Sequence, residues 1–231
     1  MKQPRISSKN LWANHETRVR EVFSLALELL QKETLLPTQE NALNRKLYFC
    51  LLRANRMLQA KNRGFDYPPI YEGNNQPDSD DVARATREYK RPDFQWGFID
   101  NLESDPEKSA KHYIVECKRL GMSTNTWILN RNYIVHGVDR FIKAEWGYAK
   151  STKYSAMIGY IQNMEMDEIF REVNSYGKEM SFPQISPPKD GWINSGVSNL
   201  NQRLNRPEVP PTPFELRHIW VDLRRQYKTM E

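Results

Sequence analysis

Apolar residues recur at helical spacing over residues 15–32, where Val19, Val22, Phe23, Ala26, Leu27 and Leu30 fall on one stripe. Leu43, Leu47, Leu51, Ala54 and Leu58 form a second stripe. Pro37-Thr38 ahead of it predicts a helix with Thr38 as N-cap and Gly64 as C-cap. Lys46, Arg53, Arg56, Lys61 and Arg63 then read as its solvated face. After this the period shortens. Residues 65–71 hold two prolines, which confine any strand there to an edge. Residues 94–99 and 112–115 are aromatic and β-branched and read as strands, joined by a polar segment whose turn signal is Ser104-Asp105-Pro106. Residues 127–149 carry Ile134, Val138, Phe141, Ile142 and Trp146 at helical spacing, weakened at Gly137 and Gly147. Residues 154–161 read as a buried strand and 166–175 as a short helix.

Beyond residue 176, prolines at 183, 187, 188, 207, 210, 211 and 213 exclude long helices. Residues 214–223 are nevertheless apolar enough to need a packing partner. The pattern predicts an α/β fold, a mixed sheet flanked by helices, in a single domain. Its parts are an N-terminal helix within 10–36, a core over 37–176 and a C-terminal extension over 177–231 that packs back on the core.

Composition narrows the class. At 231 residues and 39% hydrophobic the chain has enough apolar surface for a core. No apolar run approaches the roughly 18 residues of a membrane span, and Met1-Lys2-Gln3-Pro4-Arg5 lacks a signal's apolar stretch. A cytoplasmic protein with no membrane partner is expected. Two cysteines, Cys50 and Cys117, and four histidines make neither a disulfide framework nor a zinc site. The net charge of +5 fits a polyanionic partner without requiring one.

The chemistry concentrates in two segments. Pro92-Asp93 opens one predicted strand, and Glu116-Cys117-Lys118 follows the run Tyr113-Ile114-Val115 of the next. Residues i and i+2 of a strand share a face, so Glu116 and Lys118 point together and Cys117 points away, which argues against Cys117 as a nucleophile. Folding the strands back about position 105 gives paired residue numbers that sum to about 210. Asp93 then lies opposite Cys117 and diagonal to Glu116 and Lys118, within roughly 5–8 Å. A slip of one residue would change its face. Two carboxylates and a lysine are what a magnesium-dependent phosphodiesterase needs at its reacting phosphate. The structural alternatives are a turn role for Asp93 beside Pro92 and an ion pair between Glu116 and Lys118. A charge at the end of a buried run is costly without a partner or a task.

Pro92-Asp93, Glu116-Cys117-Lys118 and the order helix, strand, strand, strand, helix, strand around them resemble the PD-(D/E)XK nuclease superfamily, the restriction-endonuclease-like fold. The resemblance implies Mg²⁺, with Mn²⁺ able to substitute, held by Asp93, Glu116 and the main-chain carbonyl of Cys117, with Lys118 stabilising charge on the phosphate. Glu40, at the start of the second predicted helix, matches a further acidic position of that superfamily. An acidic residue is also favoured there by the helix dipole alone. Arg140, Lys143, Lys153 and Gln162 are candidates for nucleic-acid contact by location. With Arg131, His136 and Lys150 the basic residues read either as a phosphate-contacting rim or as a solvated helix face.

The implied substrate is nucleic acid, DNA ahead of RNA, in restriction or anti-phage defence, acting as a homodimer or with a partner protein. The alternative is a catalytically inactive subunit of the same fold that binds nucleic acid or assembles with a partner. Trp96, Trp127, Trp146, Trp192 and Trp220 read as core ahead of base-stacking platforms.

Overall fold

The computed structural model describes residues 8–81, 83–150 and 152–228; the Met1 to Arg5 segment lies outside them. Both N-terminal stripes form helices, α1 (Ser8–Gln31) and α2 (Glu40–Gln59). They bury their apolar residues against one face of a six-stranded sheet. Burial of each such side chain contributes roughly 1.5–3 kcal/mol before the cost of chain entropy, enough to fix which helix face turns inward.

The strands are β1 (Ile70–Tyr71), β2 (Phe94–Ile99), β3 (Ala110–Leu120), β4 (Tyr154–Ile161), β5 (Val197–Leu204) and β6 (Phe214–Asp222). They lie in the order β1-β2-β3-β4-β6-β5. β1, β2 and β3 are antiparallel, β4 is parallel to both β3 and β6, and β5 returns antiparallel on β6. β4 therefore has a parallel neighbour on each side and helices over each face, which is why its sequence is a nearly unbroken apolar run. The second face is covered by α3 (Leu129–Val135) and α4 (Met166–Glu179), packed on Ile114, Met157, Ile161 and Trp220. The mixed sheet flanked by helices is as expected.

Several boundaries differ from the sequence reading. The N-cap of α2 is Gln39, still extended; the carbonyl of Thr38 instead accepts from Gln162 Nε2 at 2.8 Å and Arg119 Nη1 at 3.3 Å. The helix ends at Ala60, and Asn62, with φ of 58°, takes the left-handed position expected of Gly64. Gly64 serves close packing: a Cβ there would lie 2.6 Å from the Asn55 carbonyl oxygen. Residues 65–71 yield only the two-residue edge strand β1, as their prolines require.

The expected helix over 127–149 is broken into α3 and a 3₁₀ turn at Val138–Phe141. Gly137 leaves the helix at φ −123°, ψ −82°, wedged against the Tyr133 carbonyl and Met157 Cε, where a Cβ would lie within 2.4 Å of both. In the tail, β5 was not anticipated and β6 is an inner strand of the sheet rather than an appendage packed on it.

The β2–β3 register also differs. Phe94 pairs with Val115 and Ile99 with Ala110, so paired numbers sum to 209, not 210. Asp105 caps a 3₁₀ turn at Pro106–Lys108, and Asp100 N–H donates to Ser109 O at 2.8 Å, which centres the connection between Ser104 and Asp105. Continued one step, this register puts Asp93 opposite Glu116. Residues opposite one another in an antiparallel pair share a face. The expected register aligned Asp93 with Cys117 and counted Glu116 and Lys118 as its diagonal neighbours; the observed one makes Glu116 its direct partner.

Candidate active site

Lys118 organises the site. It is 7% exposed, and its ammonium donates to Glu116 Oε1, to Glu40 Oε1 and to the Cys117 carbonyl, each at 2.8 Å. All three of its donors are thereby used. Glu116 is fully buried. Its Oε1 also accepts from Arg140 Nη1, whereas Oε2 has no hydrogen-bond partner among the described residues. Glu40 reaches the site from the first turn of α2 and accepts the Arg119 N–H on its second oxygen at 3.2 Å.

Asp93 leaves the ladder just before β2. One of its oxygens accepts the Cys117 N–H at 2.6 Å, and the other accepts from Asn44 Nδ2 at 2.9 Å. Asn44 in turn accepts from the Tyr160 hydroxyl at 2.9 Å. The Cys117 side chain points into the opposite core, where burial raises its thiol well above the ordinary range.

The electrostatics are lopsided. Glu116 and Glu40 pair with Lys118, Glu116 also pairs with Arg140, and Asp93 is held by N–H donors with no salt bridge among the described residues. Burial first, then the Glu116 charge, pushes the Asp93 carboxyl well above its usual pKa. For Lys118, burial acts to lower the ammonium's pKa, but the three carboxylates together raise it, so it stays charged.

A cleft of about 480 Å³ reaches the Lys118 side of this cluster, walled by Glu40, Lys118, Arg119, Trp127, His136 and Arg140, with Asp93 and Glu116 behind it. Arg140 lies over the Trp146 ring, 4.3 Å from its centroid, and Lys90 lies 4.4 Å from the same centroid.

Thus Asp93, Glu116, Lys118, Glu40 and Arg140 are brought together, and the Cys117 carbonyl joins them. Gln162 stands beside the start of α2 and binds the Thr38 carbonyl, at the edge of the group. The other candidates fall elsewhere. Lys143 is exposed and pairs with Asp139 at 2.6 Å. Lys153 is exposed at the entry to β4, four residues before Met157, which is the partner of Glu116; this is about 13 Å along the strand. Lys150 pairs with Asp78 at 2.9 Å in a separate pocket. Asn44 was missed, although a fully buried amide beside Leu43 on an apolar helix face is a legible signal.

Among the described residues no three His, Cys, Asp and Glu side chains converge as a ready ligand set, since the Lys118 ammonium lies between the carboxylates. The unpartnered buried oxygen of Glu116 is nonetheless the acceptor a hard cation takes. Comparison with families of known proteins, with curated proteins and with solved structures finds no match to this chain.

Proposed function

We propose that this protein is a divalent-metal-dependent nuclease of the restriction-endonuclease-like fold that hydrolyses phosphodiester bonds in DNA. Glu116 carries the reading. It is a fully buried carboxylate on an inner strand with one oxygen shared by two cations and the other without a partner among the described residues. An unsatisfied buried carboxylate oxygen costs several kcal/mol in order of magnitude, a cost that a functional site explains. The antiparallel β2–β3 pair followed by a parallel β4 supports the fold assignment.

Asp93, Glu116 and the Cys117 carbonyl are the oxygen donors for Mg²⁺ or Mn²⁺, with Glu40 as a further carboxylate. Such an ion supplies Lewis acidity toward a phosphoryl oxygen. Lys118 and Arg140 present positive charge where negative charge builds on the reacting phosphate. Asn44 holds Asp93 in orientation. A role in restriction or anti-phage defence, and action as a homodimer or with a partner protein, follow the same resemblance.

The test is incubation with plasmid and single-stranded DNA in Mg²⁺ or Mn²⁺, beside Glu116→Ala and Lys118→Ala. Cleavage abolished in both variants and by chelator is the expected result; cleavage that survives both substitutions would sink the assignment. One observation favours a second reading, an inactive nucleic-acid-binding subunit of the same fold. Glu116 Oε1 and the Cys117 carbonyl are already engaged by Lys118. Binding without cleavage in either metal would select it.

A further inference from the structure

Trp127 departs from the other tryptophans. Trp96 and Trp220 are buried in the core and Trp192 stacks on Trp220 at 5.6 Å, whereas Trp127 is 52% exposed. It forms one wall of the cleft that holds Lys118, Glu40 and Arg140. Its backbone is fixed by a local turn: Thr124 N–H donates to the Trp127 carbonyl at 2.8 Å, and the Trp127 N–H donates to Thr124 Oγ1 at 3.0 Å. Trp127 and Leu129 are the apolar part of the lining, and Lys118, Arg119 and Arg140 are its cations, with Glu40 among them. A half-exposed indole on a backbone fixed by a turn, in a cleft that also presents Arg119 and Arg140, matches the two parts of a nucleotide, a flat base and a charged phosphate.

We propose that the cleft accepts one unpaired nucleotide, its base stacked on Trp127 and its phosphate directed to Arg140, with Lys118 adding charge but no free N–H, so that the substrate is single-stranded or locally unpaired DNA. This rests on the nuclease reading and adds strandedness to it. In a duplex the base faces are already stacked on one another and only their edges are offered in the grooves, so an indole face finds no partner there. At about 480 Å³ the cleft is of small-ligand size, matched to a single nucleotide rather than to a helix lying across it.

The experiment is fluorescence anisotropy with a labelled single-stranded oligonucleotide and a duplex of the same length, with Ca²⁺ in place of Mg²⁺. It compares the wild-type chain with Trp127→Ala and Trp127→Phe. The wild type is expected to prefer the single strand. Trp127→Ala should lose roughly 5- to 100-fold of single-strand affinity with duplex binding unchanged, and Trp127→Phe should keep most of it. Equal losses on both substrates, no change in either, or a wild type that binds neither would each overturn the proposal. Cleavage in Mg²⁺ is scored separately. Trp127-dependent single-strand binding without cleavage would overturn the nuclease reading and leave the stacking site standing. Glu116-dependent cleavage of duplex with Trp127 neutral would do the reverse.

Discussion

Two buried cations of this protein are solvated in opposite ways. Arg206 is fully buried and donates to five main-chain carbonyls, those of Phe141, Tyr148, Ala149, Thr152 and Pro211, with its guanidinium 3.4 Å from the centroid of Phe214. Burial pushes it down to about 9, still charged at neutral pH. Lys118 instead faces carboxylates, which raise its pKa. Neutral dipoles in a cage satisfy a charge and fasten the chain; here they tie the β5–β6 connection to residues 141–152, the segment that follows Arg140 and carries Trp146. At the site, three carboxyl groups outnumber the two cations, and one Glu116 oxygen has no partner among the described residues. The first arrangement is what stability builds, and the second is what stability alone would remove.

That contrast breaks most visibly on substitution of the site. Lys118→Ala should lower cleavage by about 10²-fold or more per folded molecule, as removal of a charge-stabilising donor does; single-turnover assays give the number. Arg206→Ala should act on stability instead. It removes a donor from five carbonyls, of which that of Ala149 still accepts from Thr152, and should cost roughly 3–5 kcal/mol, lowering the melting temperature on the order of 10 °C. Calorimetry that found Arg206→Ala neutral would erase the distinction.

Asp93→Asn sharpens the comparison from the other side. Relief of the crowded carboxyl groups offsets the amide's loss of one acceptor toward Cys117 N–H or Asn44 Nδ2, so stability at pH 7 should change by no more than about 1 kcal/mol while cleavage is lost. Urea midpoints and the cleavage assay together decide this. A large loss of stability would mean that Asp93 is there for folding.

The acid response should come from outside both clusters. Burial holds His218 at about 3 and His15 at about 4, below the ordinary 6.5. Both folded values are depressed, so unfolding takes up protons below pH 6.5. Stability from this source is complete above 6.5 and declines as pH falls toward 4, by about 1.4 kcal/mol per unit for each histidine. Urea midpoints at pH 7 and 5 should separate accordingly, and His218→Asn should show a shallower decline. The smallest effects are expected for Lys143→Ala and Lys153→Ala, within about 0.5 kcal/mol in stability and with cleavage essentially unchanged.

What was legible followed burial pattern. β2 and β4 begin and end where their aromatic and apolar runs do, and the stripes of α1 and α2 face the sheet throughout. β5 escaped notice because Ser198 and Gln202 occupy inward positions that an apolar residue would have marked. Gln202 is satisfied by the Pro183 carbonyl at 2.6 Å and by His218, partners that no local pattern reveals.

At the site, Asp93, Glu116 and Lys118 were legible because strand periodicity and one turn almost fix their relation. The one-residue error in register came from the turn, where the Asp105 cap and the Asp100–Ser109 hydrogen bond decide the count. Arg140 stood out from Lys143 and Lys153 only when Gly137 broke the helix and turned the 3₁₀ segment toward Glu116. The Arg206 cage depends on carbonyls scattered over residues 141–211 and has no sequence signature.

The most direct test of the carboxyl surplus is Mn²⁺ binding followed by electron paramagnetic resonance in the wild-type chain, Glu116→Gln and Arg206→Lys. Saturable binding that disappears in Glu116→Gln and persists in folded Arg206→Lys is the predicted result. Absence of saturable binding in the wild type, or binding indifferent to Glu116, would contradict it.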